Sequence, residues 1–348
     1  MKAVRLTGPG QLAYMDVPEP KCGDDDVLIE VRRVGICGTD VEMFHGTMAY
    51  FKMGWTQYPI TLGHEWSGVV ADRGRNVTDL VIGDRVTGDV TIGCQRCDNC
   101  KRGGYNLCFS KAEVGLCRGK DGAFAQYLTM PAIHAYKVPD TLSFEEAAFV
   151  EPAATVVKAI RKAQFEPGAI CVILGDGPIG LLALQAADAC GAGRVILTGT
   201  LDEKLELGRK VGADRTVNVT REDLNAIIAE ETDGVGADFV MEASGNVQAV
   251  QQAVDIVRMG GTISVVGLHE TPVPNLDMGN IVVRDLNLIT SVASPNAFKQ
   301  TIRLMEKRKI DARPLISHEF ALADAAQALN VQETRPAERT KIQLCPES

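Results

Sequence analysis

Residues 169–180 read AICVILGDGPIG, a continuous apolar run that ends in a glycine-rich turn and leads into an apolar helix pattern. A strand apolar at every position has no solvent face and must be covered on both sides, as in a parallel sheet. The turn has G-x-G-x-x-G spacing in the context that gives it meaning, after a strand and at the start of a helix. Gly175 permits the tight turn, Gly177 lets the backbone approach a pyrophosphate, and Gly180 allows close strand–helix packing. Pro178 and Ile179 open the helix, whose free N–H groups and positive end face that pyrophosphate. The alternative is a glycine-rich turn in some other α/β fold.

The pattern continues through the strand RVILTG, the helix LDEKLELGRKVGAD, the strand ADFVMEASG (237–245), a helix over 246–260 and the strand GTISVVG (261–267). This alternation predicts an α/β fold with a doubly wound parallel sheet over residues 153–290. Gly199-Thr200, at the end of the second strand, and Val266-Gly267, after a later one, join the expected cofactor contacts. An NAD site usually has an acid at the second strand end to hold the ribose 2′-OH. Here Gly199 and Thr200 stand there, with Lys204 and Arg209 further on, while Asp202 and Glu203 offer nearby carboxylates. The missing acid leads us to expect that NADP is tolerated or preferred.

Residues 1–152 differ in texture: short β-branched runs such as DVLIEVRRVGI (26–36) and SGVVADRG (67–74) are broken by Gly, Pro and Asp. These predict a β-rich, barrel-like domain. We place the tail, 291–348, back on that domain. A net charge of −9 and a pI near 5.2 argue against nucleic acid or an anionic membrane as the main partner. No apolar run is long enough to span a bilayer and no apolar segment follows Lys2, so the expected location is the cytoplasm.

Cys94, Cys97, Cys100 and Cys108 lie in a segment, about 93–109, with few apolar residues to hold it folded. Their spacing fits a structural zinc, an iron–sulfur cluster or a disulfide framework. Three further places offer candidate ligands: Cys37 in GICGTD, His64 and Glu65 in GHEWSG, and Glu151 in VEPAAT. Taken singly, each has an ordinary reading as a small buried thiol, a core histidine or a surface acid.

Taken together and in order, GICGTD, GHEWSG, VIGDRV, the four-cysteine lobe, DGAFAQY, VEPAAT, GDGPIG and EASG resemble the zinc-dependent medium-chain dehydrogenase/reductase family. The likeness is to its polyol and sorbitol, threonine and aminocyclitol dehydrogenase branches. It implies a GroES-like catalytic domain beside a Rossmann domain, and two zinc ions per chain with NAD or NADP. The structural zinc would sit on Cys94, Cys97, Cys100 and Cys108; the catalytic zinc on Cys37 and His64, with Glu65 and Glu151 as remaining or exchanging ligands. Cys22, Cys117, Cys171, Cys190 and Cys345 match no ligand position.

The resemblance also implies a reaction: hydride passes from an alcohol carbon to the nicotinamide while zinc, with one open position, acts on the hydroxyl. Thr39 matches the family's hydroxyl relay. Beyond it some relatives have a histidine where this chain has Glu42, leaving His45 or Glu151 as proton exits, with Glu151 preferred. Asp40 reads as a partner orienting the site or as a helix cap. Glu242 to Gly245 are expected on the nicotinamide side.

Polyol dehydrogenases often place an Arg where this chain has Ser291-Val292-Ala293-Ser294-Pro295, which weakens a plain sorbitol assignment. The aromatic loop Met48–Trp55 either caps a pocket or serves packing. The expected substrate is a polyol, sugar or cyclitol-type secondary alcohol oxidised to a ketone by a homo-oligomer, a tetramer rather than a dimer. The runner-up is an L-threonine 3-dehydrogenase-like amino-alcohol oxidation. A silent nucleotide-binding or redox-sensing protein is the rival from another class, and the intact Cys37, His64, Glu65 and Glu151 set argues against it.

Overall fold

The computed structural model describes residues 1–346 other than 270, 274 and 275. The chain forms two compact units: Met1–Ala154 with Ala293–Glu306 and Ile316–Ser348, and Thr155–Val292 with Lys307–Leu315.

In the first unit the strand Asp26–Gly35 is the hub. It pairs antiparallel with Glu65–Arg73, Tyr127–Pro131 and Lys341–Cys345. The register sets Gly35 opposite Glu65 on one side and opposite Gln343 on the other. Ile36 then donates its N–H to the carbonyl of Ile342 at 2.9 Å. Residues from three distant stretches thus meet where the hub strand runs out, immediately before Cys37. Trp66, Phe124, Leu6, Ile29, Ile36, Met43 and Leu62 fill the core beneath and are almost fully buried.

Two local devices fix the chain around that point. The helix Gly38–His45 begins at Cys37, whose N–H is accepted by Asp40 Oδ2 at 2.9 Å in a capping-box arrangement. Gly63 adopts a left-handed φ of 94°, and a Cβ there would run into the Phe124 ring. Only glycine lets the chain turn over that ring to deliver His64.

The second unit carries a six-stranded sheet ordered Arg215–Asn218, Arg194–Gly199, Ile170–Leu174, Ala237–Glu242, Val257–Val265, Asn287–Thr290. Every pair is parallel, and by position in the unit the order is 3-2-1-4-5-6, that of a doubly wound dinucleotide-binding sheet. The strand Ile170–Leu174 is buried almost throughout, as its unbroken apolar run requires. One boundary differs from the sequence reading: the helix expected to 260 stops at Ile256, and the strand begins at Val257. Val257 is already extended, β-branching favours that conformation, and Gly260 at φ 67° lies in a register irregularity of the new strand.

His134 closes a short turn in the first unit with both ring nitrogens buried and without hydrogen-bond partners among the described residues, its ring centroid 5.0 Å from that of Tyr105. Burial pushes its pKa down to about 4, below the ~6.5 of an unfolded histidine. The unfolded chain therefore takes up a proton that the native one refuses. This contribution to stability is complete above pH 6.5 and is lost as the pH falls toward 4. We predict a loss of about 2 kcal/mol between pH 7.5 and 5 in urea denaturation, which His134→Leu removes. An acid limb unchanged in the variant would contradict this.

Candidate active site

The Sγ of Cys37, the ring of His64 and the carboxylate of Glu65 converge, their donor atoms within 4.8 Å of one another. Asp40, fully buried, holds the group in shape. Its Oδ2 caps Cys37, while Oδ1 accepts from the Gly63 N–H at 3.3 Å and stands 3.7 Å from His64 Nδ1. It is helix cap and histidine partner at once. Burial penalises a charge on His64, yet Asp40, Cys37 and Glu151 outweigh it and raise its pKa well above the usual value. The surroundings select for positive charge at this point. That electrostatic demand, with one sulfur, one imidazole and carboxylate donors, fits a zinc ion.

Glu65 is held from behind. Lys341 Nζ donates to its two carboxylate oxygens at 2.8 and 2.6 Å and to the Ile36 carbonyl at 3.2 Å. Burial alone would favour the neutral amine, but Glu65 and then Cys37 keep Lys341 charged, with its pKa raised. Glu151 is buried next to this cluster, which pushes its pKa up to about 8 despite the opposing pull of His64, and Ser294 Oγ donates to its Oε1 at 3.4 Å. Thr39 Oγ1 lies 3.7 Å from Cys37 Sγ. His45 pairs instead with Glu333 at 2.9 Å on an exposed surface.

The four lobe cysteines form the second cluster, also with donor atoms within 4.8 Å of one another. Cys94 and Cys100 Sγ are 4.0 Å apart, close to the ~3.8 Å edge of a tetrahedral zinc–sulfur site. Backbone N–H groups of Arg96 and Cys97 hold the Cys94 thiol down to about 6. All ten cysteines are free, so the disulfide alternative has no support. Around the lobe the aromatic loop packs on itself and its neighbours: Trp55 meets Phe109 edge-on at 6.0 Å, and Arg118 lies 4.8 Å over Trp55. Asn296 donates to the Gly103 carbonyl at 2.8 Å, two residues from the Ser294 that holds Glu151.

In the second unit a Cβ on Gly180 would strike the Gly175 carbonyl oxygen, while one on Gly177 would meet open space. The helix Pro178–Ala189 starts at Gly177 without a side-chain cap, leaving N–H groups free for an anion. Glu242 Oε1 accepts from Ser244 N, Ser244 Oγ and Gly245 N at 2.7, 2.6 and 2.9 Å. The carbonyl of Glu242 accepts from Val266 and Gly267 at 2.9 and 3.1 Å. This cradle fits a dinucleotide.

The matches to known proteins agree with this chemistry. An alcohol dehydrogenase GroES-like domain model matches residues 23–140, and a zinc-binding dehydrogenase model matches residues 178–307. The sorbitol dehydrogenase of Halalkalibacterium halodurans is 34% identical, covering 99% of both chains. This chain belongs to the zinc-dependent medium-chain dehydrogenase family. The D-arabitol-phosphate dehydrogenase of Enterococcus avium is 37% identical over 95% of this chain and 94% of its own. A zinc-binding dehydrogenase from Sinorhizobium meliloti, solved with NADP bound, superposes with a TM-score of 0.89 at 32% identity, covering 99% of each chain. The protein is an NAD(P)-dependent zinc alcohol dehydrogenase with a GroES-like unit and a Rossmann unit.

Lys341 was not singled out from sequence, and Ser294 was noted only as part of the stretch that lacks an Arg. For Lys341 a signal existed: a charged residue opening the alternating strand KIQLC. Lys341→Met leaves Glu65 buried beside other acids. We predict a loss of about 3–5 kcal/mol in chemical denaturation, and a loss below about 1 kcal/mol would mean that the pair is not a buried one.

Proposed function

We propose that this dehydrogenase oxidises a secondary hydroxyl of a polyhydroxylated substrate (polyol, sugar or cyclitol) to the ketone. Cys37, His64, Glu65 and Glu151 are the donor set of its catalytic zinc, and Cys94, Cys97, Cys100 and Cys108 hold a second, structural one. The observation that carries this reading is the convergence of half-buried Cys37 with buried His64 and Glu65, the Thr39 hydroxyl standing beside Cys37. The sorbitol and arabitol-phosphate relatives support the substrate class.

When bound, zinc supplies Lewis-acid polarisation of the substrate hydroxyl and the nicotinamide accepts hydride. The chain's own residues do the rest. Thr39 Oγ orients the substrate and relays its hydroxyl proton, releasing its own hydrogen as it takes the substrate's. Glu151, restrained by Ser294, carries the proton onward. The engagement of His45 with Glu333 supports this route over one through His45. Glu65, drawn toward Lys341, serves as the exchangeable ligand.

The enzyme acts as a cytoplasmic homo-oligomer, a tetramer. The strand Asn287–Thr290 at the open edge of its sheet supports assembly, with Val282, Val283 and Val292 exposed nearby. Among the described residues no helix is long and apolar enough to cross a membrane.

A panel of polyols, cyclitols, sugars and threonine, followed at 340 nm with each cofactor, tests the substrate class. The highest kcat/KM is expected for a polyol or cyclitol, and threonine as the best substrate would transfer the assignment to amino-alcohol oxidation. Glu151→Gln is expected to lower kcat by about 100-fold and to alter its pH profile; a wild-type kcat and profile would exclude the Glu151 route.

A further inference from the structure

We propose that Asp176, in the glycine-rich turn, supplies the carboxylate missing from the end of the second strand and makes the enzyme selective for NAD over NADP. The inference rests on the dinucleotide reading above and reverses the NADP preference drawn from Gly199 alone.

Asp176 does not point away from the sheet. Its Oδ2 accepts hydrogen bonds from the backbone N–H groups of Thr200 at 2.9 Å and Leu201 at 3.3 Å. A carboxylate therefore stands at the strand end, where dinucleotide sites of this fold hold the ribose 2′-OH. It comes from the first loop instead of the second strand. Asp176 Oδ1 accepts no hydrogen bond among the described residues and is open to a hydroxyl donor.

Position 199 follows from this arrangement. Gly199 has no left-handed φ that would require glycine. A Cβ there would collide with the Asp176 carboxylate, only 2.6 Å from its Cγ. An acid at 176 and a side chain at 199 are thus mutually exclusive, and the absence of the usual strand-end acid is the consequence of having Asp176.

The same geometry disfavours a 2′-phosphate in two ways. The N–H groups of Thr200 and Leu201 lead into the helix Asp202–Lys210 and would be natural phosphate donors, but they already serve Asp176. The nearby cations are also engaged: Arg221 pairs with Asp202 at 2.5 Å, Arg209 with Glu206 at 2.7 Å, and Lys204 is buried. A phosphate would meet the Asp176 charge with none of these three cations free to offset it.

The test is the dissociation constants of NADH and NADPH, measured by fluorescence titration of the zinc-loaded enzyme and of three variants. The wild type is expected to bind NADH at least about tenfold more tightly. Asp176→Asn keeps the shape and the hydrogen bonds to Thr200 and Leu201 but drops the charge, and should cut that ratio to within about threefold. Gly199→Asp alone should weaken both dinucleotides through the collision. The double variant Asp176→Ala/Gly199→Asp should restore the NADH preference. A wild type that binds NADPH equally or better, or a ratio unmoved by Asp176→Asn, overturns the proposal. Binding of neither dinucleotide overturns the cofactor reading beneath it.

Discussion

Three carboxyl groups, Asp40, Glu65 and Glu151, are buried in one region of the first unit beside Cys37, and the rest of the site depends on balancing them. Unpaired charges of this kind cost several kcal/mol each to bury. Lys341 supplies one positive charge directly against Glu65. Without a metal, the neighbours of His64 press it toward a second positive charge; with one, the imidazole binds as the neutral ligand. A divalent ion with open coordination completes the balance, so the electrostatics that make the fold expensive also make it bind metal. The catalytic competence of the site and its folding cost have one origin.

Position is enforced by backbone as much as by charge. Gly63 turns over the Phe124 ring to present His64, and Gly35 leaves room for the Glu65 carboxylate directly across the ladder. The four-cysteine lobe contributes at a distance. Its Phe109 meets Trp55 edge-on, with Arg118 over Trp55 and bonded to the Phe109 carbonyl, and its Gly103 carbonyl accepts from Asn296 in the segment whose Ser294 holds Glu151.

The sequence made the Rossmann unit plain because its signals are local: an unbroken apolar strand, three glycines at fixed spacing and regular strand–helix alternation. The motifs GICGTD and GHEWSG, whose Cys37, His64 and Glu65 converge, were visible for the same reason. What stayed hidden were pairings set by tertiary register. Lys341 meets Glu65 across 276 positions because a C-terminal strand adds to the hub strand, and no periodicity announces that. Asp176 reaches Thr200 across 24 positions, so a carboxylate absent from its usual place in the sequence is present in space. The loop Met48–Trp55 is aromatic by composition, but only its ring contacts reveal internal packing.

The central claim is that one chain builds two chemically different zinc sites, one all-sulfur and one with a single sulfur. X-ray absorption at the zinc edge reads both at once. The account predicts two zinc per chain with a mean of about 2.5 sulfur neighbours each at ~2.3 Å, the remainder being nitrogen and oxygen at ~2.0–2.2 Å. One zinc per chain in a pure four-sulfur shell would contradict it, because the Cys37, His64 and Glu65 cluster would then hold no metal.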